Sequence, residues 1–146
     1  MIDRLENTIT PGFTRDDRSM FPYWFAHWCA FQMTALNLKK WKFKYLFHDW
    51  EKPWMRLFCK YSTVQKWHRN HRRHHPEYGL KNGWDKVDWD EMIIDWESCH
   101  YTKTAQPLDV IQTLHSLYGD KPYFYLMQEN IIPRVRRLIT NKKKIN

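Results

Sequence analysis

The sequence predicts an all-α fold: one compact helical bundle of six or seven helices. Three observations predict it. Apolar residues recur at steps of three and four along several segments, the spacing of one helix face. Val-rich alternating runs are absent and no segment reads as a hairpin. The chain has 146 residues, 42% of them hydrophobic and 17% aromatic, including 9 Trp. That length is one ordinary domain, and large rings bury enough area per residue to build a core.

Residues 1–18 read as an irregular N-terminal arm. Ser19 can cap a helix that starts at Met20, with Pro22 tolerated in its first turn, and the helix runs to about Leu38. His27, Ala30, Phe31, Thr34 and Leu38 share one face of it, so a histidine points inward from a mostly apolar stripe. A second helix covers residues 40–48. Pro53 prevents its continuation, which puts His48 and Asp49 at a helix boundary, and a short helix at 54–60 follows. Ser62 to Gln65 fits a capping box opening a helix over 63–75, which Pro76 stops. Residues 76–87 read as a loop, with Gly79 and Asn82-Gly83 as turn signals. Asp88 and Glu91 cap a helix over 89–101. Pro107 opens another that ends at Tyr118-Gly119. The last helical region begins near Pro122, is interrupted at Pro133 and ends in a basic tail at 141–146.

Several classes are disfavoured. No run of about 18 apolar residues offers a membrane span, and residues 1–18 lack the apolar stretch of a secretory signal. Cys29, Cys59 and Cys99 are an odd, widely spaced set with no CxxC pair. That argues against a disulfide framework and a thiolate zinc knuckle, and for reduced thiols in a cytoplasmic protein. The net charge of +8 favours anionic partners.

The residues able to carry chemistry are histidines and carboxylates. Residues 67–75 read WHRNHRRHH. On a helix, His68, His71 and His75 fall within an arc of about 60°, and His74 points away by roughly 100°. Clustered imidazoles at a helix C-terminus make a cation site. The bland alternative is a basic face that contacts nucleic-acid phosphates through Arg69, Arg72 and Arg73. Asp95 lies among Ile93, Ile94 and Trp96, so if buried it needs a metal or a charged partner such as an arginine, and the alternative is exposure on the polar face. Glu91 lies one turn before it on the same face, but capping accounts for Glu91. At a helix boundary, His48 and Asp49 can converge on one ion.

Taken in order, His27, His48-Asp49, the histidine cluster and Asp95 resemble the HD superfamily of metal-dependent phosphohydrolases, an all-helical family with the pattern H…HD…D. His48-Asp49-Trp50-Glu51-Lys52 looks like its HDxxK variant. Residues 68–75 are similar to the extra histidines of members with two metals. Over about residues 20–100 the chain also resembles a group of short HD-like proteins common in bacteriophages and bacteria. They share the HDxxK segment, a W-H…N…HH segment (67–75 here) and an M-x-x-D-W segment (92–96). Three departures stand out. The interval from His27 to His48 is short. Glu51 replaces the glycine of an HDxGK motif. No GYP motif follows the histidines, so cyclic-dinucleotide cleavage is not expected.

The resemblance implies a divalent-metal-dependent phosphohydrolase acting on a phosphate ester, with a nucleotide as the expected class. It implies that His27, His48, Asp49 and Asp95 hold one ion. His68, His74 and His75 would hold a second ion or the substrate phosphate, and His71 is a further candidate. Asp49 and Lys52 would be catalytic, and Lys52, Arg69, Arg72 and Arg73 would bind substrate phosphate. Mixed imidazole and carboxylate donors suit manganese, iron, cobalt, nickel or zinc, as one or two ions. Trp50, Trp67 and Trp96 read as core, with stacking on a base as the alternative. Two other classes stand beside the enzyme. One is a basic nucleic-acid binder. The other is a non-catalytic interaction protein with a structural metal, such as a phage protein acting on a host factor in the host cytoplasm.

Overall fold

A computed structural model describes residues 20–102 and 110–143. Among the described residues the chain is all-helical: seven α-helices, two 3-10 segments and no strand. None of these helices is long and apolar enough to cross a membrane. The expected arm at 1–18, the Ser19 cap, Pro107 and the tail residues 144–146 lie outside the described residues, whereas residues 141–143 close the last helix.

Helix α1 (Met20–Asn37) carries the apolar stripe, and Ala30, Phe31, Thr34 and His27 are all buried. Its end is fixed by backbone geometry. Lys39 adopts φ 54°, Lys39 N–H donates to Leu36 O, and Lys40 N–H donates to Ala35 O. This is the Schellman arrangement, with a lysine in the place that glycine usually takes.

The helix expected over 40–48 is shorter, a 3-10 segment at Phe43–Phe47. Its residues include two phenylalanines and a tyrosine, weak helix formers whose χ1 freedom suffers in a helical turn. Helix α2 (Glu51–Arg56) begins before Pro53 rather than after it. Pro53 falls in the first turn, where its missing N–H removes no helical bond.

Helix α3 (Tyr61–His71) stops four residues short of the expected end at His75. Arg72 is already extended (φ −98°, ψ 130°), as is His75 before Pro76. The expected capping box does not form. Lys60 is the N-cap without a side-chain bond, and Gln65 donates to Tyr61 Oη instead.

The expected loop over 76–87 is mostly helical: α4 (Pro76–Asn82) followed by a 3-10 turn at Trp84–Lys86. Pro76 supplies a preset φ at the first helical position, and Gly83 ends α4 at φ 107°. Gly79 lets α4 lie flat on its neighbours. A Cβ there would sit 2.6 Å from the Trp84 ring and 2.7 Å from Val87 Cγ2. Gly79→Ala is expected to destabilise the fold by about 1–3 kcal/mol through overpacking, read as a lower urea midpoint at unchanged m-value.

Helix α5 (Trp89–Thr102) is N-capped by Asp88, whose Oδ1 accepts the Glu91 N–H. It packs along α1. Helices α6 (Val110–Tyr118) and α7 (Phe124–Lys143) cover its other side. Met92, Ile93, Trp96, Leu114, Met127 and Ile131 form the main core there. The expected interruption at Pro133 does not occur: α7 runs through it. Ile131 and Leu138 are buried on either side, so packing holds the helix across the missing N–H.

Candidate metal centre

Between α1 and α5 the apolar packing gives way to a buried polar cluster. Helix α1 contributes His27, and the chain after the 3-10 segment contributes His48 and Asp49. The first turn of α2 adds Glu51 and Lys52. His68 comes from α3, His74 and His75 from the extended stretch before α4, and Glu91 and Asp95 from α5. His27, His48, Asp49, Lys52, His68, His74 and Asp95 are all buried.

The local chain explains how adjacent residues reach one point. Asp49 takes φ 59°, a left-handed conformation that aspartate tolerates better than most residues. The reversal places His48 Nε2 3.5 Å from Asp49 Oδ1. Phe31 stacks on the His48 ring at 3.7 Å and fixes its plane.

Two histidine groups face Asp49. In the first, His27 Nε2 lies 3.0 Å from Asp95 Oδ1 and 3.6 Å from Asp49 Oδ2. His48 Nε2 lies 3.5 Å from Asp95 Oδ1 and 3.4 Å from His27 Nε2. In the second, His68 Nε2 and His74 Nε2 approach Asp49 Oδ1 at 3.3 and 3.5 Å. The His75 ring lies 4.6 Å from His68 and 4.4 Å from His74, centre to centre.

The donor set fits a cation. The potential ligand atoms of His27, His48 and Asp95 lie within 4.8 Å of one another, as do those of His68, His74 and His75, and of His48, Asp49 and His74. Asp49 Oδ1 and the Nε2 atoms of His68, His74 and His75 are buried without a hydrogen-bond partner. Buried polar atoms left unmade cost about 1–3 kcal/mol each. A divalent ion would satisfy such atoms together. These buried groups could therefore hold a metal ion.

The backs of the rings are tied down. His68 Nδ1 bonds Glu51 Oε1. His48 Nδ1 and His74 Nδ1 bond Glu91 Oε1 at 3.2 and 3.1 Å. An ionised carboxylate only accepts, so each Nδ1 carries the proton and each Nε2 of a neutral ring turns its lone pair inward. Burial raises the Glu51 pKa, but bonds from His68 and Arg72 outweigh it and hold the carboxyl at about 2. Glu91 is held below its ordinary range in the same way by His48 and His74.

By sequence Glu51 stands in place of the HDxGK glycine, and Glu91 reads as a helix cap. Asp88 alone caps α5, and Glu91 orients two imidazoles. The available signal was its position one turn before Asp95 on the same face. Glu91→Gln is expected to weaken metal retention by roughly 10–100-fold, the usual cost of losing such a support. Equilibrium dialysis against a competing chelator measures it.

Burial pushes the His68 imidazole down to about 4 against the pull of Asp49. His75 is driven well down by burial and by His74 and His68. Burial also opposes the charge on His74, yet the Asp49 and Glu91 carboxylates raise it to about 10. Without metal, His74 therefore carries a proton at neutral pH that a metal must displace. Burial opposes the charge on His48 too, yet the carboxylates Asp49, Asp95 and Glu91 raise it. Metal uptake near pH 7 is therefore expected to release protons from His74 and His48, and to weaken as the pH falls. Acidification of a weakly buffered solution on metal addition reads this directly; uptake with no proton released would put His74 outside the centre.

The expected face of His68, His71 and His75 does not form, because α3 ends at His71. His71 is exposed, bonding back to Trp67 O and stacking on the Trp67 ring. His74, which helical geometry would have turned away, is buried at the centre.

The expected phosphate ligands separate. A cavity of about 370 Å³ opens onto Asp49, His48 and His74, and Lys44, Arg72, Arg73, His71 and Tyr78 line it. Lys52 lies deeper, with Nζ donating to Asp49 Oδ2. Arg69 turns to Glu77 at 3.6 Å and does not line this cavity. Arg72 pairs with Glu51, and Arg73 Nε donates to Lys86 O. Trp96 is core, stacked on Tyr118, whereas Trp50 and Trp67 are partly exposed. No protein-family model, curated protein or solved structure matches the chain.

Proposed function

We propose that the protein is a divalent-metal-dependent hydrolase of phosphate esters, of the HD type that its sequence resembles. One observation carries the reading. Two groups of buried imidazoles and carboxylates meet at Asp49, directly beneath a cavity rimmed by cations. Bound there, a divalent transition ion supplies Lewis acidity to a phosphoryl oxygen and lowers the pKa of a water.

The residues have separable tasks. His27, His48 and Asp95 form one ligand group, and His68, His74 and His75 the other. Asp49 faces both: Oδ1 towards His48, His68 and His74, Oδ2 towards His27 and Lys52. It is the natural shared ligand of a two-ion centre. Lys52 is a positioning residue, since its ammonium touches Asp49 and keeps that carboxylate ionised. Asp49 is held well below the carboxylate range, with His48, His68 and Lys52 outweighing burial. Arg73 lines the cavity where a phosphate would sit, with Arg72 and Lys44, which now pair with Glu51 and with Asp88 and Glu91 and would share their charge with it.

The test is phosphate release by protein loaded with manganese, iron or cobalt. Mono-, di- and cyclic nucleotides come first, because the resemblance makes a nucleotide the expected class, followed by simple alkyl and aryl phosphates. Turnover that Asp49→Asn abolishes supports the reading; loaded protein that releases phosphate from none of these esters overturns it.

A second reading is a metal-stabilised interaction protein. The exposure of Phe58 (88%), Phe43 (70%), Leu57 (68%) and Trp54 (64%) favours it. In that case metal removal unfolds the protein and no ester is turned over.

A further inference from the structure

A second cavity lies between α1 and α2, with Trp50 in its wall. It has a volume of about 560 Å³, within the range of roughly 300–1,000 Å³ typical of small-molecule sites. Its walls are Phe21, Trp24, Phe25 and Trp28 of α1 with Trp50, Pro53, Trp54 and Leu57 around α2, and among the described residues Arg56 is the one ionic side chain lining it. The rings hold one another in place. Trp24 meets Trp50 edge-on at 5.9 Å, and Phe25 stacks with Phe21 at 6.4 Å and with Trp28 at 6.2 Å. Trp28 is fixed further by donating Nε1–H to Leu46 O. This is a preformed apolar socket rather than a few scattered exposed rings.

The socket and the cavity over the metal ligands adjoin through one ring contact. Phe47 lines that cavity, and its ring meets Trp50, which lines the socket, at 5.8 Å. Both rings are about half exposed, so they form an open apolar ledge between the two. The same helices serve both sites. On α1, Trp24 lies one turn before His27; on α2, Trp54 lies one turn after Glu51.

We propose that the socket holds the apolar part of the substrate, so that the ester cleaved is the phosphate monoester of a hydrophobic alcohol, long-chain alkyl or aryl. The inference rests on the phosphohydrolase reading for the position of the phosphate. Charge runs in the required order: a cationic rim over the metal ligands for the phosphate, then the Phe47–Trp50 ledge, then an aromatic socket. A nucleobase fits the socket poorly. Its ring nitrogens and exocyclic groups need hydrogen-bond partners, and burying them against a nearly all-carbon wall leaves them unpaired. A hydrocarbon or plain aryl group gains from the same wall with every methylene buried.

The test uses metal-loaded protein with octyl phosphate below its micelle concentration and inorganic phosphate as the headgroup alone. Binding is followed by tryptophan fluorescence and calorimetry. Octyl phosphate is expected to bind at least about tenfold more tightly than inorganic phosphate, with a more negative heat-capacity change. Trp54→Ala, at an exposed position, should remove most of that advantage at undiminished metal content. Phe25→Ala, half exposed across the socket, should do the same. Equal affinity for the two ligands, or an advantage untouched by both substitutions, overturns the proposal. Octyl phosphate held through the socket but not hydrolysed, by protein that does hydrolyse a nucleotide, overturns the proposed substrate class and leaves the phosphohydrolase reading standing; protein that hydrolyses none of these esters overturns that reading too, so the two failures are distinct.

Discussion

Asp49→Asn is expected to abolish metal retention while the protein stays folded. Every line of the geometry passes through this carboxylate. Oδ1 faces three imidazole nitrogens, and Oδ2 faces His27 and Lys52. Asparagine keeps the shape and tolerates the left-handed φ of 59°. It removes the negative charge shared by both ligand groups, so the loss of affinity should exceed the roughly 100-fold seen when only a supporting carboxylate is removed. Lys52 loses its partner in this variant. Asp49→Asn/Lys52→Met therefore separates metal loss from the cost of an unpaired buried ammonium, which is about 3–5 kcal/mol. Metal content by elemental analysis and folding by circular dichroism read the outcome. A folded Asp49→Asn protein that retains a full complement of metal contradicts the centre.

Metal removal is the second large effect. Metal-free protein keeps a protonated His74, ionised Glu51 and Glu91, and four inward atoms without partners in one buried space. A ligand that binds only the folded state at about 1,000 times its Kd adds about 4 kcal/mol. In a domain of this size each kcal/mol moves the melting temperature by about 2–8 °C. Chelator-treated protein is therefore expected to melt on the order of 10 °C below the manganese- or zinc-loaded form. A thermal melt independent of metal, in protein shown to contain it, would mean that the ion sits elsewhere.

The sequence made the helices legible where an apolar stripe ran long enough, as on α1 and α5, and where Asp88 fixed a helix end. It misplaced boundaries where tertiary contacts decide them. Helix α3 stops at His71 because Arg72 and Arg73 leave helical geometry, bonded to Glu51 and to Lys86 O. That exit brings His74 into the cluster and leaves His71 outside, an exchange that helical spacing cannot show. Pro133 failed as a breaker because the core holds α7 on both sides of it. Most of the cluster was legible from residue type, order and the resemblance: His27, His48, Asp49, His68, His74, His75 and Asp95 all meet at one place. Glu51 and Glu91 were not, because a carboxylate that orients an imidazole has no signature in the chain. The aromatic socket was hidden for a related reason. Trp50 reads as core by type, and only the packing of α1 against α2 leaves it lining a cavity with Phe21, Phe25 and Trp54.

The central claim is that this cluster holds a divalent transition metal. Elemental analysis of the purified protein, before and after chelation and reloading with manganese, iron, cobalt, nickel or zinc, tests it most directly. One or two ions per chain, lost in Asp49→Asn, is the predicted result. No bound metal in either preparation contradicts it.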